Sequence, residues 1–315
     1  MDRNALMNQE QPGGKGGAVT HRFIVYQYGK VGSTSVTAAL NRLAGCEAHQ
    51  THFLGESAFS GTLKRLMNPD TPDYFFEHSA GQLLENLRLY RHFARREIDS
   101  TPLTVISLAR EPFDWFRSAL VQDAQEHLVS LRTLLDNRGI ACGGDEDAMT
   151  AGLELLFGLL LDAITHFGSL DAMCRGRRYQ ELEQALEHAG SDDFRAIMFF
   201  VNIFMRPHLW YHTHFMDVLE FGLGDMSPMD CGGLRREEGW GNTYVLNYES
   251  MATELPAVVS ELGFSSCPQL THENATDDKP HSEVVSAAFG SDAAQALRRV
   301  CHSEDTRYLG YVPDS

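Results

Sequence analysis

The sequence predicts an α/β fold, a single domain with a central, mainly parallel sheet flanked by helices. Three observations predict it. Apolar, β-branched and aromatic runs at Phe23–Tyr28, Thr101–Ala109 and Tyr244–Glu249 read as buried strands. The first two pass through short turns into segments whose apolar residues recur at helical spacing. At 315 residues, with 43% hydrophobic and 22% charged residues, the chain can bury one large core.

The first unit sets the theme. After Tyr28 comes Gly29-Lys30-Val31-Gly32-Ser33-Thr34-Ser35, small and hydroxylated residues around one cation. Val36, Ala39, Leu40 and Leu43 then mark a helix, with Gly45 as its expected C′ residue. Strand, tight glycine turn and helix in that order aim backbone N–H groups and a helix N-terminus at one point, which suits a phosphate or sulfate. The loop is not a nucleotide-hydrolase loop, because there lysine follows the second glycine. Here Lys30 precedes Gly32.

Cys46 to Leu54 alternates loosely and reads as a further strand, ending near His49 and His52. Gly55 to Tyr74 reads as turn-rich, with Asn68-Pro69-Asp70-Thr71-Pro72 as its breaker. Leu83 to Glu97 carries a helical period with basic residues toward its end. The Thr101–Ala109 strand runs straight into Arg110, and Pro112 suits the first turn of the helix that follows. Ser118 falls about two turns into that helix. Ligands of open parallel sheets bind at the carboxyl ends of strands. Two strand–loop–helix units, each with a cation at its turn, fit a ligand carrying two anionic groups. Residues from about 120 to 215 read as a helical insertion with a Gly-rich, acidic break at Gly139–Asp147.

Composition excludes several function classes. With 26 basic and 43 acidic residues the net charge is −17, which argues against broad affinity for nucleic acid or an anionic membrane. An anionic ligand then needs a few concentrated cations. Lysine is rare, at Lys15, Lys30, Lys64 and Lys279 against 22 arginines, yet one lysine sits in the glycine turn. Six cysteines without a C-x-x-C pair read as reduced thiols, consistent with a cytoplasmic protein. Residues 1–20, with Pro12-Gly13-Gly14-Lys15-Gly16-Gly17, read as a flexible tail. The apolar run Leu153–Ile164 is too short and charged to span a bilayer, so a buried helix is expected and no transmembrane segment. His208, His212 and His214 lack an acidic or cysteine partner at ligand spacing, so no metal site is assigned to them.

Two motifs carry a resemblance. Lys30-Val31-Gly32-Ser33-Thr34-Ser35 resembles the P-loop-like turn by which sulfotransferases hold the 5′-phosphosulfate of 3′-phosphoadenosine 5′-phosphosulfate (PAPS). Arg110, Pro112 and Ser118 match, position by position, the Arg-x-Pro-x-x-x-x-x-Ser pattern that holds its 3′-phosphate. The two stand in family order, each after an apolar strand, and the likeness runs firmly over about residues 22–120. Over 205–312 it is looser. The Trp210 to Leu223 stretch is similar to bacterial sulfotransferase-like proteins of capsular polysaccharide synthesis, with histidine where aspartate is expected. Tyr248-Glu249 resembles the family's strand-end Tyr-Glu, and Asn274 with Lys279 its late nucleotide-covering loop. The closing Tyr308-Leu309-Gly310-Tyr311 is similar to the family's terminal segment.

The resemblance implies a sulfotransferase fold and activity: PAPS as donor, 3′,5′-ADP as product, no metal, and a hydroxyl of a sugar, glycolipid or small natural product as acceptor. Sulfuryl transfer is an in-line displacement with a loose transition state, in which charge builds on the leaving phosphate. It implies Lys30 as the group that stabilises that charge, and Lys30, Gly32, Ser33, Thr34, Ser35, Arg110, Ser118, Asn274 and Lys279 as nucleotide contacts. The acceptor hydroxyl also needs a base. The resemblance implies a strand-end histidine within Thr-His for that part, which makes His52 of Thr51-His52 the first candidate, with His49, His78 and Glu249 as rivals. Two other functions stay open: a nucleotide-dependent kinase-like enzyme, for which no Walker loop is present, and a homologue that binds nucleotide without catalysis.

Overall fold

The computed structural model describes residues 19–69, 73–175, 191–266, 269–270 and 279–311, for the backbone alone at 57, 73–78, 175 and 191–196. Six strands form one mixed sheet: β1 (His21–Tyr26), β2 (Cys46–Thr51), β3 (Leu103–Ala109), β4 (Ser227–Pro228), β5 (Leu234–Glu238) and β6 (Gly241–Asn247). The order is β2-β1-β3-β6-β5-β4. The first four of these pair parallel, and β5 and β4 add an antiparallel edge. All seven residues of β3 are buried, as its unbroken apolar run requires of a strand covered on both faces.

From β1 the chain goes to β2 on one side, then returns to β3 on the other. The direction of winding therefore reverses between β1 and β3. That is the point in an open sheet where a crevice opens at the strands' carboxyl ends.

Helices α1 (Ser33–Leu40), α2 (Glu56–Leu66), α3 (Asp73–Ala94) and α4 (Pro112–Gln122) connect and cover this half. α1 is shorter than expected. It ends at Leu40, and Gly45 instead closes the following turn, its carbonyl accepting from the Thr20 amide at 2.8 Å. Gly55–Tyr74 is not all turn: α2 fills most of it before the Asn68-Pro69 break. Between β3 and β4 the described chain is helical, with α5 (Ala124–Asn137), α6 (Asp145–Phe167), α7 (Leu170–Arg175) and α8 (Ser191–Trp210). α8 runs into a π-helical turn at Tyr211–Phe215. After β6 come α9 (Met251–Glu261), α10 (Ser282–Ala288), α11 (Asp292–Val300) and α12 (Glu304–Tyr308).

α6 is the one described helix long and apolar enough to cross a membrane, and half of its most apolar stretch is buried inside the protein. Leu153, Leu156, Phe157 and Leu160 are among its buried residues. Phe116 of α4, Phe157 of α6, Phe204 of α8 and Phe289 at the end of α10 pack edge to face, so the helical region shares the sheet's core. The first eighteen residues, read as a tail, lie outside the described residues.

Candidate active site

β1 ends at Tyr26, and Gln27 continues its pairing by donating its amide to the Thr51 carbonyl at 3.2 Å. The turn that follows is left-handed at three residues: Gly29 (φ 93°), Lys30 (φ 57°) and Gly32 (φ 78°). Left-handed backbone is ordinary for glycine and uncommon for lysine, so surrounding contacts must hold Lys30 there. Trp115 of α4 donates its indole N–H to the Gly29 carbonyl at 2.8 Å. The Gly29 amide donates to the Gln27 side-chain oxygen. Gly32 then caps α1, whose Ser33 and Ser35 are buried and Thr34 exposed.

Gly32 is glycine for a second reason. A Cβ there would stand 2.9 Å from Met251 and 3.2 Å from the Tyr248 ring. Tyr248 thus lies against the turn, and on it stands the Arg110 guanidinium, 4.6 Å from the ring centroid. Arg110 Nη1 donates to the Lys30 carbonyl at 3.4 Å, and the Arg110 amide donates to the Tyr28 hydroxyl at 2.9 Å. Its Nε is buried with no partner among the described residues. The turn after β1 and the turn after β3 therefore touch. Ser118 is buried further along α4.

Lys30 reaches across to the far end of α4. Its ammonium donates to the Gln122 side-chain oxygen and lies 3.9 Å from Asp123. Burial pushes its pKa down to about 8, and Lys279 and Arg206 push the same way against Asp123. Both cations thus stand within electrostatic reach of Lys30. Arg206, on α8, is exposed and sits 5.9 Å from the Trp115 ring. Sequence reading missed it because only tertiary packing brings it to the turn; the nearest signal is Pro207, which interrupts the helix beside it.

His52 follows β2. Its ring lies beside Gly29, where an added Cβ would be 3.7 Å from His52 Cε1. Nδ1 is 2.8 Å from the Gln27 carbonyl, which can only accept, so Nδ1 carries the hydrogen and Nε2 keeps its lone pair. The Gln27 amide nitrogen, 3.1 Å from Nδ1, is then a close neighbour and not a donor to it. Burial lowers the His52 pKa, Arg206 lowers it further, and the Gln27 carbonyl works the other way. The imidazole is neutral at pH 7. Trp210 donates to the His52 carbonyl at 3.3 Å, so the segment around the π turn backs this corner.

The rival bases sit differently. His49 is on β2 paired with Glu47 at 2.9 Å, in a group with Arg22 and Arg88. Glu249 accepts from the Glu111 amide at 3.0 Å and from the Tyr311 hydroxyl at 2.6 Å, so both its oxygens are engaged. His78 lies on α3 and its side chain is outside the described residues, as is Asn274. His208, His212 and His214 diverge: His208 meets Ser303, His212 meets Asp305, and His214 packs on Phe53.

No protein-family model, curated protein or solved structure matches the chain.

Proposed function

We propose that the protein is a PAPS-dependent sulfotransferase acting on a hydroxyl acceptor. One observation carries the reading. Lys30 and Arg110 stand in the touching turns after β1 and β3, and Arg206 and Lys279 lie within electrostatic reach of Lys30, in a chain whose net charge is −17. Anions need local cations in such a protein, and the switch point is where an open sheet binds its ligand.

On this reading the turn amides and Lys30 hold the 5′-phosphosulfate, and Arg110, with its unpartnered buried Nε, holds the 3′-phosphate with Ser118. Left-handed residues at positions 29, 30 and 32 make the kind of turn that gathers amides into an anion nest. Lys30 stabilises charge on the leaving phosphate oxygen. His52 Nε2 takes the acceptor proton as that hydroxyl attacks sulfur in line, and the S–O bond to 3′,5′-ADP breaks.

A thermal-shift comparison tests the reading. We expect 3′,5′-ADP to raise the melting temperature where ATP–Mg²⁺ does not, and sulfuryl transfer from PAPS to follow with a suitable acceptor. Stabilisation by ATP–Mg²⁺ alone overturns it in favour of a kinase-like enzyme. Stabilisation by 3′,5′-ADP without transfer to any hydroxyl acceptor favours a non-catalytic homologue.

A further inference from the structure

A second cluster lies behind the Arg110 turn. Glu111, Cys301 and His302 each bring one potential ligand atom within 4.8 Å of the other two. Cys301 is fully buried and His302 is 8% exposed. His302 Nε2 stands 3.4 Å from Glu111 Oε1, yet that oxygen is buried with no hydrogen-bond partner among the described residues. The carboxylate and the imidazole thus meet as a buried pair 3.4 Å apart, a separation that a bound cation can bridge. Tetrahedral zinc, with bonds of about 2.0–2.3 Å, sets its ligand atoms about 3.3–3.6 Å apart. The Glu111–His302 separation is already of that size.

A fourth donor lies outside that group of three but close to it. His208, 1% exposed, shares a hydrogen bond from Nδ1 to the Ser303 hydroxyl at 3.2 Å. Its Nε2 is buried and unpartnered among the described residues. A partner on one ring nitrogen is what fixes the other as a metal ligand. His208 is also within electrostatic reach of both His302 and Glu111.

We propose that Glu111, Cys301, His302 and His208 form a structural zinc site. A carboxylate, a thiolate and two neutral imidazoles balance a divalent cation, and thiolate and imidazole are the donors zinc and cobalt favour over magnesium. Binding releases the Cys301 thiol proton. The ion joins the segment after α11 to the start of α4 and to α8, next to Arg110. Glu111 Oε2 keeps its role as the cap that accepts from the Asp114 amide.

The test needs no enzymatic activity, so its outcome is independent of the sulfotransferase reading. Full-length protein purified without a metal-binding tag is stripped with EDTA and titrated with Co²⁺. We expect one equivalent bound tetrahedrally, a thiolate-to-cobalt charge-transfer band in the near ultraviolet, and displacement by Zn²⁺. Zn²⁺ raises the melting temperature and Mg²⁺ leaves it unchanged. Cys301→Ser abolishes the band while circular dichroism shows the fold retained. His208→Gln keeps the band and weakens cobalt binding at least tenfold, the lower end of what loss of even an outer-shell partner costs. Cobalt that is not retained, or a band that survives in Cys301→Ser, overturns the proposal.

Discussion

Lys30 is asked to be a cation where its surroundings favour the neutral amine. Burial, Lys279 and Arg206 together bring its pKa down to about 8. A bound phosphate would reverse that, because an opposite charge raises an amine's pKa. Binding of 3′,5′-ADP should therefore take up a proton near pH 8, and affinity should fall as pH rises from 7 to 9. Calorimetry in two buffers of different ionisation enthalpy measures both; a flat profile with no proton uptake removes Lys30 from the contact set. Without ligand the sign is opposite. The folded pKa lies below the unfolded value of 10.5, so between about pH 8 and 10.5 the unfolded chain holds more protons. In that window this group makes the ligand-free fold more stable as pH rises. His52 is the complementary case. Its depressed pKa keeps it neutral, and its Nδ1 contact with Gln27 leaves Nε2 free. His52→Ala should lower transfer by about 10²–10⁴-fold, the range of general-base catalysis, while the melting shift with 3′,5′-ADP persists. Near-normal turnover assigns the base elsewhere. At this scale the sequence exposed Lys30, Arg110 and His52 because each sits in a strand-end motif. Arg206 and Gln122 were hidden because tertiary packing alone brings them to the turn.

The element that does most is the turn from Gln27 to Gly32, and its glycines are separable by what they face. Gly29 borders His52 with room to spare, whereas Gly32 is crowded by Met251 and Tyr248 and held at φ 78°. Gly32→Ala should cost about 1–3 kcal/mol through backbone strain and clash. It should also displace Tyr248, on which Arg110 stands, and so weaken 3′,5′-ADP binding more than its stability loss explains. Urea unfolding alongside ligand titration measures the two; an unchanged ligand affinity shows that Tyr248 does not position Arg110. β1 and β3 were legible as elements because strands buried on both faces must be continuously apolar. α2 was not, because Ser57, Ser60, Gly61 and Thr62 dilute its helical signal next to a strong breaker. The β4–β5 hairpin was missed for a different reason. Leu234-Arg235-Arg236-Glu237-Glu238 is the strand next to the edge, covered on its outer side by the two-residue β4 at Leu234 and Arg235, and its four charged residues leave little apolar alternation to read.

At the scale of the whole molecule, the end of the chain closes around the turn after β3. Tyr311 binds Glu249 just past β6, and Glu249 in turn accepts from the Glu111 amide at the start of α4. Arg307 and the Glu304 amide both reach Asp171 on α7, at 3.0 and 2.7 Å. The last helix thus ties the sheet's carboxyl edge to the helical region, and Arg110 lies inside that frame. The resemblance marked this closing aromatic segment, but not that the Tyr311 hydroxyl would meet Glu249, a rival base in the sequence. Tyr311→Phe keeps the ring and removes the hydroxyl. It should cost about 1 kcal/mol, below the usual range for a bond to a charged acceptor because Glu249 is exposed. In a chain of this size that is a fall of about 2 °C in melting temperature. If the segment positions Arg110, 3′,5′-ADP affinity falls as well, and Glu249→Gln, whose amide oxygen can still accept from one partner, loses less. Equal melting temperature and affinity in Tyr311→Phe and the parent protein would reduce the tail to a cover that plays no part in holding the nucleotide site.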